Sequence, residues 1–460
     1  MDTKKAISLA AVAVIAILSS YATSGILSEV ERSALIVLVT AAGLWTTEAV
    51  PLVATSFIIP LLQTLLGIQS FKAALTPFFD PVVMLLLGGF LLALAVEKND
   101  LDEFFAYQMI SKFKADARFM VLIFMVTTAF LSMWISNTAS TALMLTMALR
   151  LTETVKDKRG NFSKILVLSI AYSATAGGLS TLVGTTTCAM AAGFLKDMIG
   201  YEITFLGWMG FGLPITLLMV LTIWVVLLAI FPIDVEEITS LSIHRKPLTE
   251  KGRLTLVVFI FSILLWITGR LPEPITQALG WSGHGLSSSV VAGIIAVLLF
   301  ASDIIDERDL GRANWSTLLL IGGGLSLGGA LDVSGLVLRI SDSLMLLTGG
   351  RPEIVTIALV AVFGLGISIF ASNTASAGIL LPIAISLGST TSISPIILAV
   401  VIGISTSLDF MLPVGTPPNA IAYSTGKVSM RDMIKAGFAL DVIGVTITIF
   451  LASYLWPYLI

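Results

Sequence analysis

The stretches SMWISNTASTA (residues 132–142) and SIFASNTASAG (368–378) are identical at 6 of 11 positions without a gap. Each puts serine, asparagine and threonine at the middle of a long apolar run. A polar side chain withdrawn from water costs free energy unless it is hydrogen-bonded, so the repeated cluster asks for a purpose. The surrounding apolar segments, 119–150 and 352–388, exceed the roughly 20 residues of one membrane crossing. A helical hairpin that enters and leaves on the same side fits both better. Such re-entrant backbone is tolerated only where protein or a water-filled cavity covers it.

Composition sets the class. The chain has 460 residues, 56% hydrophobic and 12% charged, against about 25% charged in a soluble domain. So few charges cannot cover a water-facing surface, and the reading is an all-α polytopic membrane protein. A net charge of −3 gives no reason to expect a nucleic-acid partner. The single cysteine, Cys188, excludes an intrachain disulfide. His244 and His284 lie in polar connecting segments, and no His/Cys/Glu set has metal-ligand spacing.

Apolar stretches of spanning length fall near 6–23, 31–48, 51–69, 81–97, 163–199, 206–231, 254–270, 287–303, 314–332, 392–426 and 434–458. The first follows Lys4 and Lys5 and is long for a cleaved signal, so it is read as a span. The expectation is eleven transmembrane helices plus two re-entrant hairpins. Lys and Arg orient them. With the N-terminus cytoplasmic, 20 of the 26 basic residues fall inside and 6 outside, namely Arg32, Lys72, Lys196, Arg270, Arg339 and Arg351. Positive charge is retained on the cytoplasmic side, which puts the C-terminus outside. It also puts the first hairpin on the cytoplasmic face and the second on the outer face.

The chain repeats itself. Glycine pairs at 88–89 and 322–323 precede Ser136 and Ser372 by 48 and 50 residues. VGTTTCAMA (183–191) follows the first SNT and VGTPPNAIA (414–422) the second, with 5 of 9 positions identical. Two halves thus share the order glycine-pair helix, SNT hairpin, span broken at VGT, and enter the membrane from opposite sides. That is an inverted-topology repeat, a pattern of secondary transporters whose site lies at the repeat interface. The polar segment 232–253 links the halves.

The repeated residues have a definite chemistry. Hydroxyls donate and accept, and the asparagine amide does both. Where the second helix of each hairpin begins, free N–H groups and the positive helix end favour an anion. The same oxygens can ligate a hard cation such as Na⁺. In GTPPN the prolines remove N–H donors and break the helix, and the carbonyls freed there can complete a cation site. No Lys, Arg or His sits at the centre of a span, so charge for a dianion has to come from helix ends and co-bound cations. The bland alternative is that SNT cements helices by hydrogen bonding. One copy would favour it; two in inverted positions, each followed by a VGT break, favour a site.

The doubled SNT and TSLDFMLPVGTPPNAIA (406–422) resemble the divalent anion/sodium symporter family, which carries dicarboxylates, tricarboxylates or sulfate. The resemblance covers nearly the whole chain and implies an elevator-type homodimer in the bilayer, in a prokaryotic plasma membrane. It implies scaffold parts at 1–115 and 254–350 and transport parts at 116–231 and 351–460, around the linker 232–253. By motif position it implies substrate contacts at Ser136, Asn137, Thr138, Thr185, Ser372, Asn373, Thr374, Thr416 and Pro417. It implies one Na⁺ at Ser132, Ser136, Asn137 and Gly184, and another at Ser368, Ala371, Asn373 and Gly415. The expected function is Na⁺-coupled symport of C4-type dicarboxylates such as succinate, malate, fumarate and 2-oxoglutarate. The alternatives are exchange without net Na⁺ coupling, citrate or sulfate transport, and an anion channel; no catalytic constellation supports an enzyme.

Two features depart from that pattern. The first break reads GTTTC, with Thr186, Thr187 and Cys188 where the second has Pro417, Pro418 and Asn419. Asp409 is an acid inside a span, which marks a proton or cation site or an acid bonded to broken backbone. Weaker motifs are GLSLG (324–328), which matches a nucleophile elbow but sits in a glycine-rich span, and the acceptor triplets NFS (161–163) and NWS (314–316), both on the cytoplasmic side. The amphipathic DLDEFFAYQMISKFK (100–114) reads as an interfacial helix.

Overall fold

A computed structural model describes residues 3–110, 116–155, 160–233 and 247–460. Most of the linker, with His244, and the end of the amphipathic stretch lie outside the described residues. The described chain is helical, and its helices fall into two series of the same order. The first comprises α1 (Thr3–Ala22), α2 (Glu29–Thr47), α3 (Leu52–Leu65), the short α4 (Phe71–Leu75), α5 (Pro81–Lys98) and α6 (Leu101–Ile110). It continues with α7 (Ala117–Ser132), α8 (Asn137–Thr154), α9 (Asn161–Gly178), α10 (Thr186–Ile199) and α11 (Phe205–Ile230). The second comprises α12 (Glu250–Ile267), the short α13 (Glu273–Leu279), α14 (Ser288–Ala301), the short α15 (Glu307–Leu310), α16 (Trp315–Val333) and α17 (Leu336–Thr348). It ends with α18 (Glu353–Ser368), α19 (Asn373–Thr390), α20 (Pro395–Ser405), α21 (Pro417–Ser424) and α22 (Met430–Tyr454).

Each apolar stretch of spanning length contains a helix, but not all are long. Among the described residues, six segments are long and apolar enough to cross a bilayer: α1, α2, residues 71–98, α11, α16 and α22. Helices α3 and α14 have 14 residues each, about 21 Å at 1.5 Å per residue, and are short for a roughly 30 Å core. The long stretches 163–199 and 392–426 are each two helices separated by a break, as the VGT motifs require.

Local chemistry fixes the helix starts. Ser28 and Glu31 form a reciprocal capping box at α2, with Ser28 N donating to Glu31 Oε2 at 2.6 Å, and Ser429 with Asp432 do the same at α22. Packing then sorts the helices. Helices α9 and α20 are buried on every side, Ile165 to Gly178 in one and Ile396 to Ser405 in the other. Helices α1, α11 and α12 present exposed apolar side chains such as Ile17, Leu221 and Val257, a surface suited to lipid. The glycine pairs have matching uses. A Cβ on Gly88 would lie 2.6 Å from the carbonyl of Ala292 on α14, and one on Gly323 would lie 2.6 Å from Cβ of Ser56 on α3. Each lets its helix approach a short helix of the other half.

The packing between halves is reciprocal. Hairpin α7–α8 lies on α9, and α18–α19 lies on α20. Helix α10 packs on α19 and α20, while α21 packs on α8 and α9. Ser326 of GLSLG lies within α16, donates to the carbonyl of Ala74 at 2.7 Å and accepts from Gln63 Nε2 at 3.0 Å. There is no strand-to-helix turn there, and the serine is a packing residue.

Candidate functional site

Each SNT lies where one hairpin helix stops and the next starts. Helix α7 ends at Ser132, and Ser136 caps α8, its Oγ accepting from Ala139 N at 3.1 Å. Helix α18 ends at Ser368, and Ser372 is the N-cap of α19. The serine four residues before each tip makes the same two contacts in both halves. Ser132 Oγ reaches Asn137 Oδ1 at 2.6 Å and the carbonyl of Ala174 at 2.7 Å. Ser368 Oγ reaches Asn373 Oδ1 at 2.7 Å and the carbonyl of Thr406 at 2.5 Å. A hydroxyl has one proton, so it cannot fully satisfy two acceptors. Each triad therefore keeps oxygen lone pairs in excess, a donor set that suits a hard monovalent cation.

The breaks are held differently. Asn419 Nδ2 donates to the carbonyls of Asp409 at 3.2 Å and Leu412 at 3.0 Å, and its N–H donates to Thr416 Oγ1 at 3.3 Å. Cys188, its counterpart, is buried and supplies no such clamp. Hydroxyls hold the first break instead. Thr181 Oγ1 donates to the carbonyl of Met133 at 2.7 Å and accepts from Gly184 N at 3.1 Å. Thr187 Oγ1 donates to the carbonyl of Gly403 at 2.6 Å and lies 2.7 Å from Ser407 Oγ.

Tips and breaks surround one cavity of about 570 Å³. All nine positions of the expected substrate set line it, as do Gly184, Ala371 and Gly415. Ser132 and Ser368 do not; they are buried behind Asn137 and Asn373. The N-termini of α8, α10, α19 and α21 all reach this cavity. These positive helix ends therefore converge where, among the described residues, no Lys, Arg or His lines the wall. The sequence reading missed the opposite wall, made by Trp45, Thr46 and Glu48 at the end of α2, Phe90 of α5, and Asn314 and Thr317 at the start of α16. Asn314, read only as part of an acceptor triplet, caps α16 by accepting from Thr317 N at 3.2 Å.

Asp409 is not in the wall. It is fully buried, and neither carboxyl oxygen has a hydrogen-bond partner among the described residues. Its carboxyl lies against Gly415, where a Cβ would come within 1.9 Å of Oδ2. Asp441 of α22 was not singled out by sequence. It accepts from Phe410 N at 2.9 Å and so caps the broken backbone after α20. The ring of Tyr172 meets Phe410 edge-on at 5.2 Å.

A family model described as the sodium:sulfate symporter transmembrane region matches residues 2–460. The sodium-dependent dicarboxylate transporter SdcS of Staphylococcus saprophyticus is 31% identical over 440 residues, covering 90% of this chain and 84% of its own. SdcS of Staphylococcus aureus strain USA300 is 32% identical over 443 residues with the same coverage. An uncharacterized transporter of Haemophilus influenzae is 35% identical over 432 residues, 92% of each chain. Among solved structures, the YdaH transporter of Alcanivorax borkumensis superposes with a TM-score of 0.61 at 16% identity, over 86% of this chain and 89% of its own. MtrF of Neisseria gonorrhoeae gives 0.56 at 12%, over 85% and 83%. These two likenesses concern the fold.

Proposed function

Since the chain belongs to the sodium:sulfate symporter family of membrane transporters, we propose that it carries C4-type dicarboxylates such as succinate, malate and fumarate, together with the related 2-oxoglutarate, in symport with Na⁺. It is a transporter and not an enzyme. The observation that carries the substrate reading is the cavity where both SNT tips and the N-termini of α8, α10, α19 and α21 meet, with no cationic side chain among its described lining residues. Helix ends and hydroxyls favour an anion, and co-bound cations would offset the second charge of a dianion. The two serine–asparagine–carbonyl triads, at Ser132 and Ser368, supply the oxygen sets for that charge. Binding Na⁺ there, with Ser136 and Gly184 on one side and Ala371 and Gly415 on the other, would organise each tip before the anion arrives. The relatives named as sodium-dependent dicarboxylate transporters support the same pairing of ion and substrate.

The packing of each broken span on the opposite hairpin supports an elevator movement. Hairpins, α9–α11 and α20–α22 form the part that carries substrate, and the remaining helices form a scaffold, paired with that of a second copy in the membrane. Thr46, Glu48, Asn314 and Thr317 belong to segments the charge pattern assigns to the cytoplasmic side, so this cavity is read as the inward-facing one. An elevator displacement of the carrying part would present the same cavity outside. Asp409 is read as the acid that sets cation affinity behind Gly415; Asp409→Asn with wild-type cation dependence of uptake would reject that role.

The test is a thermal-shift panel of dicarboxylates, citrate and sulfate in Na⁺ against choline. Stabilisation by C4 dicarboxylates that needs Na⁺ is expected, and no anion stabilising in either salt would overturn the reading. Counterflow in proteoliposomes with and without a Na⁺ gradient separates symport from exchange.

A further inference from the structure

The two breaks align as VGT followed by Thr186–Thr187–Cys188 in one half and Pro417–Pro418–Asn419 in the other. That difference makes the cavity asymmetric. Thr186 Oγ1 lies 2.7 Å from Thr374 Oγ1, joining α10 to the tip of the opposite half. Both residues line the cavity. Proline has no hydroxyl, so the mirror contact from Pro417 to Thr138 cannot form.

The backbone differs too. Pro417 and Pro418 bring no N–H to the first turn of α21, and the next N–H, from Asn419, is taken by Thr416 Oγ1. Helix α10 keeps the N–H groups of Thr186, Thr187 and Cys188, and the side chain of its N-cap, Thr185, accepts from none of them. The Thr187 hydroxyl points to Gly403 and Ser407 and pins the start of α10 to α20. The uncapped end of α10 is therefore both rich in donors and fixed in place.

We infer that Thr186 is a specificity-determining residue: its hydroxyl and that of Thr374 act as one pair which, with the uncapped first turn of α10, receives one carboxylate of the substrate. The other carboxylate meets the hydroxyls of Ser136, Thr138 and Thr416, beside a helix end from which prolines have removed donors. The two ends of a dicarboxylate are thus read by unequal halves of a repeat. This assignment rests on the dicarboxylate reading above.

The test is the dissociation constant for succinate, measured by calorimetry on the purified full chain at saturating Na⁺. Thr186→Val and Thr374→Val are each expected to weaken binding about tenfold, the loss of one hydrogen bond to a charged group. Thr186→Ser keeps the hydroxyl and is expected to stay within about threefold of wild type. Because the hydroxyls work as a pair, the double valine variant is expected to be no weaker than about the single ones. The Na⁺ half-saturation of Thr186→Val should be unchanged. Should Thr186→Val fail to fold, Thr186→Ala carries the same comparison. Wild-type succinate binding in Thr186→Val, losses that multiply in the double variant, or a serine variant as weak as valine would each overturn the assignment. A wild-type protein that binds no dicarboxylate in Na⁺ would overturn the functional reading, and this one with it.

Discussion

Removing the hydroxyl of Ser132 or Ser368 separates two roles that the geometry allows. Each serine could only cement its tip, or it could also ligate Na⁺. In Ser132→Ala the oxygens of Asn137 and Ala174, now 2.6 and 2.7 Å from the hydroxyl, lose a shared donor. In Ser368→Ala the oxygens of Asn373 and Thr406, at 2.7 and 2.5 Å, lose theirs. Leaving a buried acceptor without its partner costs about 1–3 kcal/mol, so both variants should lose thermal stability to a similar degree. If the hydroxyl is also a Na⁺ ligand, an equal amount leaves the bound state. At about 1.4 kcal/mol per tenfold, the Na⁺ half-saturation should rise about 5- to 150-fold. Succinate affinity at saturating Na⁺ should stay near wild type, because neither serine lines the cavity. A Na⁺ titration of thermal stability at fixed succinate reads both quantities. Lowered melting temperatures with unchanged Na⁺ half-saturation in both variants would refute the cation role and leave only the cement. A change in one variant alone would assign a cation to that half only.

Other outcomes follow from single contacts. Gly415→Ala places a methyl within 1.9 Å of the Asp409 carboxyl, so yield and thermal stability in detergent should fall sharply, and Asp409→Gly in the same chain should restore them. Burial lifts the Asp102 carboxyl on α6 from 3.8 to about 6, so the folded state holds its proton more tightly than the unfolded one. The stabilisation is full below about pH 3.8 and is lost as pH rises to about 6, by at most about 3 kcal/mol. Asp102→Asn should remove that slope from melting temperatures measured between pH 4 and 7, and an unchanged slope would reject burial as its source.

The sequence by itself determined the class, the repeat and the identity of the two tips. These depend on properties that need no tertiary contact. Apolar length sets a span, the sign of loop charge sets its direction, and Ser136 and Ser372 stand at the N-cap positions of the helices that follow them wherever those helices lie. Proline and glycine likewise announced the break before α21 locally. The tertiary structure decided what these parts do to one another. Thr186 meets Thr374 across 188 residues of chain, and Thr187 meets Ser407 across 220. Neither contact follows from a motif, because each requires α10 of one half to pack on the hairpin and core helix of the other. Read alone, GTTTC is a departure from GTPPN with no visible role. In the fold its hydroxyls replace the Asn419 clamp and add a bridge that the proline half cannot make. Asp441 and the wall from α2, α5 and α16 were illegible for the same reason. Their side chains are ordinary in sequence and acquire a role only through the helix that packs against them.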